Sequence, residues 1–237
     1  MLPAAPDAPL PSGTACPVCG GSGSVEHRVL WPALVGAWGL APAEESYINR
    51  QQGCLCSGCG ANMRSAALAR ALCRHLAWPG TLDGLLRSPP SLAILEINEA
   101  GTLHPRLARF PGHRLGRYPD CDMMRLPDSD GSLDLIVHSD TLEHVPDPLG
   151  ALRETLRALR PGGASVFTVP VIVGRLTRSR AGLPASYHGA EGVTAPDLMV
   201  HTEFGADAWA MVLEAGFSEC RMTPYGYPAG IAITAVK

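Results

Sequence analysis

Downstream of residue 91 the chain alternates short apolar runs with amphipathic stretches. Residues 92–97 (LAILEI), 133–139 (LDLIVHS) and 164–169 (ASVFTV) are continuously apolar rather than alternating, which predicts strands buried on both faces. Between the last two, residues 147–163 (DPLGALRETLRALRPGG) carry Leu149, Leu152, Leu156 and Leu159 at helical spacing. Asp147 is placed to cap that helix, Pro148 to start it and Pro161-Gly162-Gly163 to end it. Residues 206–215 predict another helix with Trp209, Val212 and Leu213 inward, followed by a last strand near residues 231–236. Strand–helix–strand alternation predicts an open α/β sheet with crossover helices.

The first third reads differently. Residues 63–78 (MRSAALARALCRHLAW) predict a helix with Leu68, Leu72, Cys73 and Leu76 on one stripe, stopped by Pro79-Gly80. A weaker helical stretch runs to Leu86, and SPPS at 88–91 marks a boundary. Residues 16–62 hold five of the eight cysteines and only one short apolar patch, near 29–40, so something besides a core must hold them. At roughly 150 residues per domain, the 237 residues make about one and a half domains. The division expected is a disordered leader (1–15), a cysteine-rich module with its helix (16–90) and an α/β domain (91–237).

The leader contains four prolines and no positive charge before an apolar stretch, so it is not a signal peptide, and no run of 18 apolar residues predicts a membrane span. A cytoplasmic location is expected, where close cysteine pairs point to metal or catalysis rather than disulfides. Cys16 and Cys19 form one C-x-x-C knuckle and Cys56 and Cys59 a second, each followed by glycine, with Cys54 an alternative for Cys56. Four thiolates in two such knuckles suit a structural Zn²⁺, whose binding supplies folding energy to a core-poor segment. The net charge of -3, from 19 basic and 22 acidic side chains, speaks against electrostatically driven nucleic-acid binding.

Residues 118–163 carry the most specific pattern: an acid at Asp122, LP at 126–127, SLD at 132–134 ahead of an apolar strand, LEH at 142–144, Asp147, and a helix ending in L-x-PGG. This run resembles the type 11 group of class I S-adenosylmethionine-dependent methyltransferases. The resemblance implies a Rossmann-like class I methyltransferase sheet with helices on both faces, here preceded by a small zinc-ribbon-like module. It implies that Asp122 accepts from the adenine amino group, that Met123 lines the ring and that Ser139 or Asp140 lies beside the methionine part of the cofactor. The loop after the first strand departs from the family's acid-x-G-x-G-x-G. Glu96 keeps the acid, Gly101 one glycine, Asn98 tolerates a left-handed backbone and Ala100 is small. Where most members place a ribose-binding acid, this chain has Arg117 and Tyr118, with Asp120 further on. The run CGANMRSAALARAL from Cys59 resembles a bacterial subgroup with a cysteine-knuckle module ahead of the domain, often in saccharide and natural-product pathways.

Methyl transfer from a sulfonium demands alignment and exclusion of water, and an alcohol nucleophile also needs a base. Asp140, Glu143 and His144 resemble a cation-binding set in ubiquinone-pathway O-methyltransferases; the reading preferred for Glu143 and His144 is that they brace the loop. The long segment 171–207 falls on the substrate side of an α/β sheet. It offers His188 and His201 as bases, beside His144, and Arg175, Arg178 and Arg180 for an anionic or polyhydroxylated substrate. The expectation is therefore a methyltransferase acting on a small-molecule or saccharide acceptor at a hydroxyl oxygen. The alternatives are a ribosomal-RNA methyltransferase with a zinc module and a methyltransferase-like scaffold without activity.

Overall fold

In the computed structural model, which describes residues 15–187, 189 and 192–237, the apolar runs assemble into one six-stranded sheet. An antiparallel ribbon pairs β1 (Ser24–Glu26) with β2 (Cys54–Cys56), enclosing helices α1 (Pro32–Trp38) and α2 (Pro42–Gly53). Helix α3 (Met63–His75) and the single turn α4 (Leu82–Leu85) follow. The parallel strands are β3 (Ile94–Ile97), β4 (His113–Gly116), β5 (Leu133–Ser139) and β6 (Leu159–Thr168), connected through α5 (His104–Leu107) and α6 (Pro148–Ala158). After β6 come β7 (Val171–Ile172), β8 (Arg178–Ser179) and β9 (Thr202–Gly205), a small sheet of order β7-β9-β8. Helix α7 (Ala208–Glu214) leads into β10 (Glu219–Tyr225) and β11 (Gly230–Val236). The main sheet has the order β10-β11-β6-β5-β3-β4, with β11 antiparallel to both neighbours. This is a mostly parallel, Rossmann-like α/β sheet.

Both faces are covered, which is why its strands are continuously apolar. Ile94, Leu135, Val137 and Val166 share a core with Leu68 and Leu72 of α3, while Leu95, Ile136 and Phe167 share one with Leu152 of α6 and Val212 of α7. The helix expected over 147–163 starts as its N-cap dictates, with Asp147 Oδ1 accepting from the Gly150 amide at 2.9 Å, but it ends at Ala158, and Leu159 and Pro161-Gly162-Gly163 belong to β6.

Three features depart from expectation. Helix α3 is buried nearly all round, Arg64 included, because the sheet lies on one side and α2 and α4 on others. It packs so closely that a Cβ on Gly230 of β11 would sit 2.5 Å from the Met63 carbonyl oxygen. Helix α7 is shorter than expected and turns Ala208 and Val212 inward, leaving Trp209 and Leu213 46% and 44% exposed. Helices α1 and α2 escaped the periodicity analysis because α2 buries Tyr47 and Gln51, whose polar groups break the apolar stripe. Cys16 and Val18 belong to the same core as α3 and Val166, so the division expected near residue 90 runs through shared packing.

His138 on β5 is fully buried and stacked on Phe167, with ring centroids 4.7 Å apart, and burial pushes its imidazole down to about 3. Below the ordinary value near 6.5 the unfolded chain takes up a proton that the folded chain refuses. Stability therefore falls as pH drops from 6.5, by about 2 kcal/mol at pH 5. Replacing His138 with Leu is expected to remove that part of the slope in urea melts at pH 7 and pH 5.

Candidate active site

The carboxyl ends of the adjacent strands β3, β4 and β5 face one edge of the sheet, where open α/β sheets bind ligands. The loop after β3 turns there through two left-handed residues, Asn98 and Gly101, both with φ of 54°. A Cβ on Gly101 would come within 3.3 Å of Ser65 Oγ, so the position needs glycine for conformation and for space. Glu96 is wholly buried beneath this loop. Its oxygens accept from the Ala100 amide at 2.7 Å and lie 2.8 Å from His104 Nδ1 and 2.6 Å from His113 Nε2. Glu96 thus shapes the loop from below, and Ala100 is fully buried with it.

The loop is tied to β4 from above. The Asn98 amide donates to the Gly116 carbonyl, and Asn98 Oδ1 accepts from the Tyr118 amide at 3.2 Å. Arg117 grips the exposed Glu99 carboxylate, and that hydrogen bond holds Glu99 below the usual carboxylate range. A carboxylate thus stands at the end of β4 although Arg117 and Tyr118, rather than an acid, directly follow that strand. Beyond β4, Asp122 Oδ1 accepts from the Met124 amide at 2.9 Å, capping its turn, and Met123 is buried in the core on the α6 side.

At the end of β5, Ser139 Oγ lies 2.7 Å from Thr168 Oγ1, and Asp140 adopts a φ of 51°. Arg64 Nη1 donates to Asp140 Oδ1 at 2.5 Å, and this guanidinium is 2% exposed. Burial pushes the Asp140 carboxyl up while Arg64 opposes the shift. Burial, with the Asp140 charge adding to it, raises Glu143 well above the usual range. Burial lowers His144, whose Nδ1 lies 3.0 Å from the Met199 carbonyl oxygen and whose Nε2 is 3.7 Å from Glu143. His201 donates its backbone amide to the Glu143 carbonyl. His188 lies outside the described residues. The three arginines expected to meet substrate are engaged within the protein: Arg175 with Glu44, and Arg178 and Arg180 with Glu203. They fasten the segment after β6 to α2 and to itself.

A family described as a methyltransferase domain matches residues 55–167. Residues 55–167 are thus similar to a methyltransferase domain. Among curated relatives, an uncharacterized methyltransferase of Mycobacterium sp. (strain KMS) is 40% identical over 75 residues, covering 32% of this chain and 30% of that protein. Another from Mycobacterium marinum is 36% identical over 95 residues, covering 40% and 34%. The chain thus spans about a third of the length of the curated relatives it matches. Among solved structures, a Burkholderia thailandensis 1,6-didemethyltoxoflavin-N1-methyltransferase with bound S-adenosylhomocysteine is 16% identical, with a TM-score of 0.41 over 72% of this chain and 76% of that one. The CMeT domain of the citrinin polyketide synthase is 15% identical, with a TM-score of 0.45 over 86% and 59%.

Just ahead of and inside the start of the matched segment, the two knuckles converge. Cys16 Sγ lies 3.8 Å from Cys59 Sγ and Cys19 Sγ 3.7 Å from Cys56 Sγ, with all four sulfurs within 4.8 Å of one another. Four sulfurs at about 2.3 Å from a tetrahedral Zn²⁺ stand about 3.8 Å apart, so the set fits that ion. The knuckles fold alike: Gly20 and Gly60 are left-handed and donate to the carbonyls of Cys16 and Cys56. Cys54 is buried in the core and is not part of the cluster. Asp140, Glu143 and His144 are not among the described groups whose ligand atoms converge in this way.

Two residues at the sheet's carboxyl edge escaped sequence reasoning. Glu99 lies in the loop that departs from the family pattern, and Arg64 falls outside the stripe of Leu68, Leu72, Cys73 and Leu76, so hydrophobic patterning marked neither as a site residue. The signal for Arg64 was the run following Cys59: Asn62 Oδ1 caps α3 by accepting from the Ser65 amide, which starts the helix two residues before Arg64. No helix among the described residues is long and apolar enough to cross a membrane.

Proposed function

We propose that the protein is an S-adenosylmethionine-dependent methyltransferase acting on a hydroxyl oxygen of a small molecule. What supports this reading most is that the segment matching the methyltransferase domain contains the loops at the carboxyl ends of β3, β4 and β5 that face one edge. The cofactor supplies an electrophilic methyl group on a sulfonium. Asn98, Ala100 and Gly101 bring backbone to it, Asp122 reads the adenine amine beside Met123, and Ser139 and Asp140 lie at its methionine end. Glu99, steadied by Arg117, takes the place of the missing ribose acid. Residues 16–90 serve as a module in which Cys16, Cys19, Cys56 and Cys59 hold Zn²⁺, carrying α3 and Arg64 to the domain of residues 91–237.

His144 is the base in this scheme. Burial keeps its imidazole neutral near pH 7, and with the Nδ1 proton directed to the Met199 carbonyl, Nε2 is the accepting nitrogen. Bound there, the cofactor would supply its methyl group to the acceptor oxygen and keep the electron pair on sulfur, and Nε2 of His144 would take the hydroxyl proton. His201 steadies this loop through the Glu143 carbonyl, and His188 is a second candidate base on the segment after β6. The overall charge of -3 favours a small molecule over RNA.

Calorimetry with S-adenosylmethionine tests the reading. One cofactor per chain is expected to bind, and no heat at millimolar cofactor overturns it. His144→Gln is expected to slow turnover by about 100-fold or more while leaving cofactor affinity unchanged. The wild-type rate should fall as pH drops through a value below 6.5, where His144 gains its proton.

A further inference from the structure

A cavity of about 320 Å³ lies between α1, α2 and the residues that follow β6. Trp31, Leu34, Trp38, Ile48 and Ile172 make much of its wall, and Gln51, Gln52 and Arg64 are its main polar groups. Its volume is at the small end for ligand pockets, enough for a molecule of one or two rings, and two indoles favour a flat body. Pro170, directly beyond the carboxyl end of β6, also lines it, and Arg64 joins it to Asp140 at the end of β5. The cavity therefore stands next to the loops assigned to the cofactor.

Arg64 is the decisive residue. Its Nη1 serves Asp140, whereas Nε and Nη2 are buried with no hydrogen-bond partner among the described residues. Leaving two donors of a buried guanidinium unsatisfied is costly, so such a group points to an absent ligand. The same Nε and Nη2 edge clamps a carboxylate elsewhere in this protein: Arg106 holds both oxygens of Asp83, and Arg175 both oxygens of Glu44. That edge is a planar fork matched to two carboxylate oxygens. The apolar walls leave most hydroxyls of a saccharide without partners, which removes that class.

We infer that this cavity is the acceptor site and takes a flat aromatic hydroxy acid whose carboxylate is held by Nε and Nη2 of Arg64. The inference rests on the methyltransferase reading for the word acceptor, and on the cavity alone for the ligand's chemistry.

The test titrates the full chain with three probes, read by calorimetry and by quenching of tryptophan fluorescence. 6-Hydroxy-2-naphthoate is expected to bind at one site. 2-Naphthol, which lacks the carboxylate, is expected to bind about tenfold more weakly, and glucuronate, which lacks the aromatic body, not at all. Arg64→Lys keeps the cation but loses the fork and should weaken hydroxynaphthoate to the level of naphthol. Leu34→Trp fills the cavity without touching Arg64; it should abolish probe binding while S-adenosylmethionine still gives its heat. Equal affinities for hydroxynaphthoate and naphthol, or binding untouched by Leu34→Trp, overturn the inference, and the second result decides even if Arg64→Lys does not fold. Probe binding as described with no cofactor heat leaves the site standing and removes the methyltransferase reading.

Discussion

Cys59→Ser is expected to yield a chain with no bound zinc and no cooperative unfolding transition, whereas elemental analysis of the wild-type protein is expected to find about one zinc per chain. Cys59 closes the cluster by facing Cys16 at 3.8 Å, and it ends the knuckle from which α3 starts four residues later, at Met63. Structural zinc sites contribute on the order of 10 kcal/mol to folding, comparable to the whole stability of an ordinary domain. Losing one of four thiolates forfeits much of that. The damage should spread, because Cys16 and Val18 share a core with α3 and the central sheet. Chelation of the wild-type metal should reproduce the effect. Cys54→Ser supplies the contrast: it should keep its zinc while losing some packing, since Cys54 lies outside the cluster. A metal-free but folded Cys59→Ser protein would refute the zinc assignment.

The second large effect is expected from Asp140→Ala, at about 3 kcal/mol of stability in denaturant melts. The loss is chiefly that of leaving a guanidinium 2% exposed without its counter-charge, since Asp140 itself keeps 31% of its side-chain surface exposed. The double variant Arg64→Met with Asp140→Ala removes both charges and should recover at least half of the loss. If the single variant is as stable as wild type, the pair does not hold α3 to the end of β5. The expected cost would also explain why Asp140 keeps a left-handed backbone, with φ of 51°: the ion pair offsets the conformational strain.

The α/β sheet was legible because its signals are local. Continuous apolar runs marked β3, β5 and β6, and Asp147 and Pro148 marked the start of α6, whereas its expected stop at Pro161-Gly162-Gly163 falls inside β6, the helix having ended at Ala158. The cysteine spacing named the four residues that meet at the cluster, and glycine after each knuckle supplied the turn it needs. Helices α1 and α2 were not legible, since polar Tyr47 and Gln51 face inward: Tyr47 Oη accepts from the Val173 amide and Gln51 Nε2 donates to the Val171 carbonyl. Burial bought by hydrogen bonds leaves no apolar period to read. On α7 the inward position of Val212 was read correctly, whereas Trp209 and Leu213 are exposed and Ala208 is the second buried residue.

By itself the sequence determined β3, β5, β6 and β11, the capped start of α6, the cysteine knuckles and the glycine and asparagine of the loop after β3, since each depends on spacing within a few residues. Only the tertiary structure decided which distant groups meet. Arg64 finds Asp140 across 76 residues, Arg175 finds Glu44 across 131, and Glu99 reaches the end of β4 through Arg117. Periodicity constrains which face a side chain occupies, whereas its partner is set by how whole layers pack, and the arginines that looked ready for substrate were thereby engaged in holding the segment after β6. Arg64, whose Nε and Nη2 packing left buried without a hydrogen-bond partner among the described residues, stood in the helix that had been read for its apolar stripe.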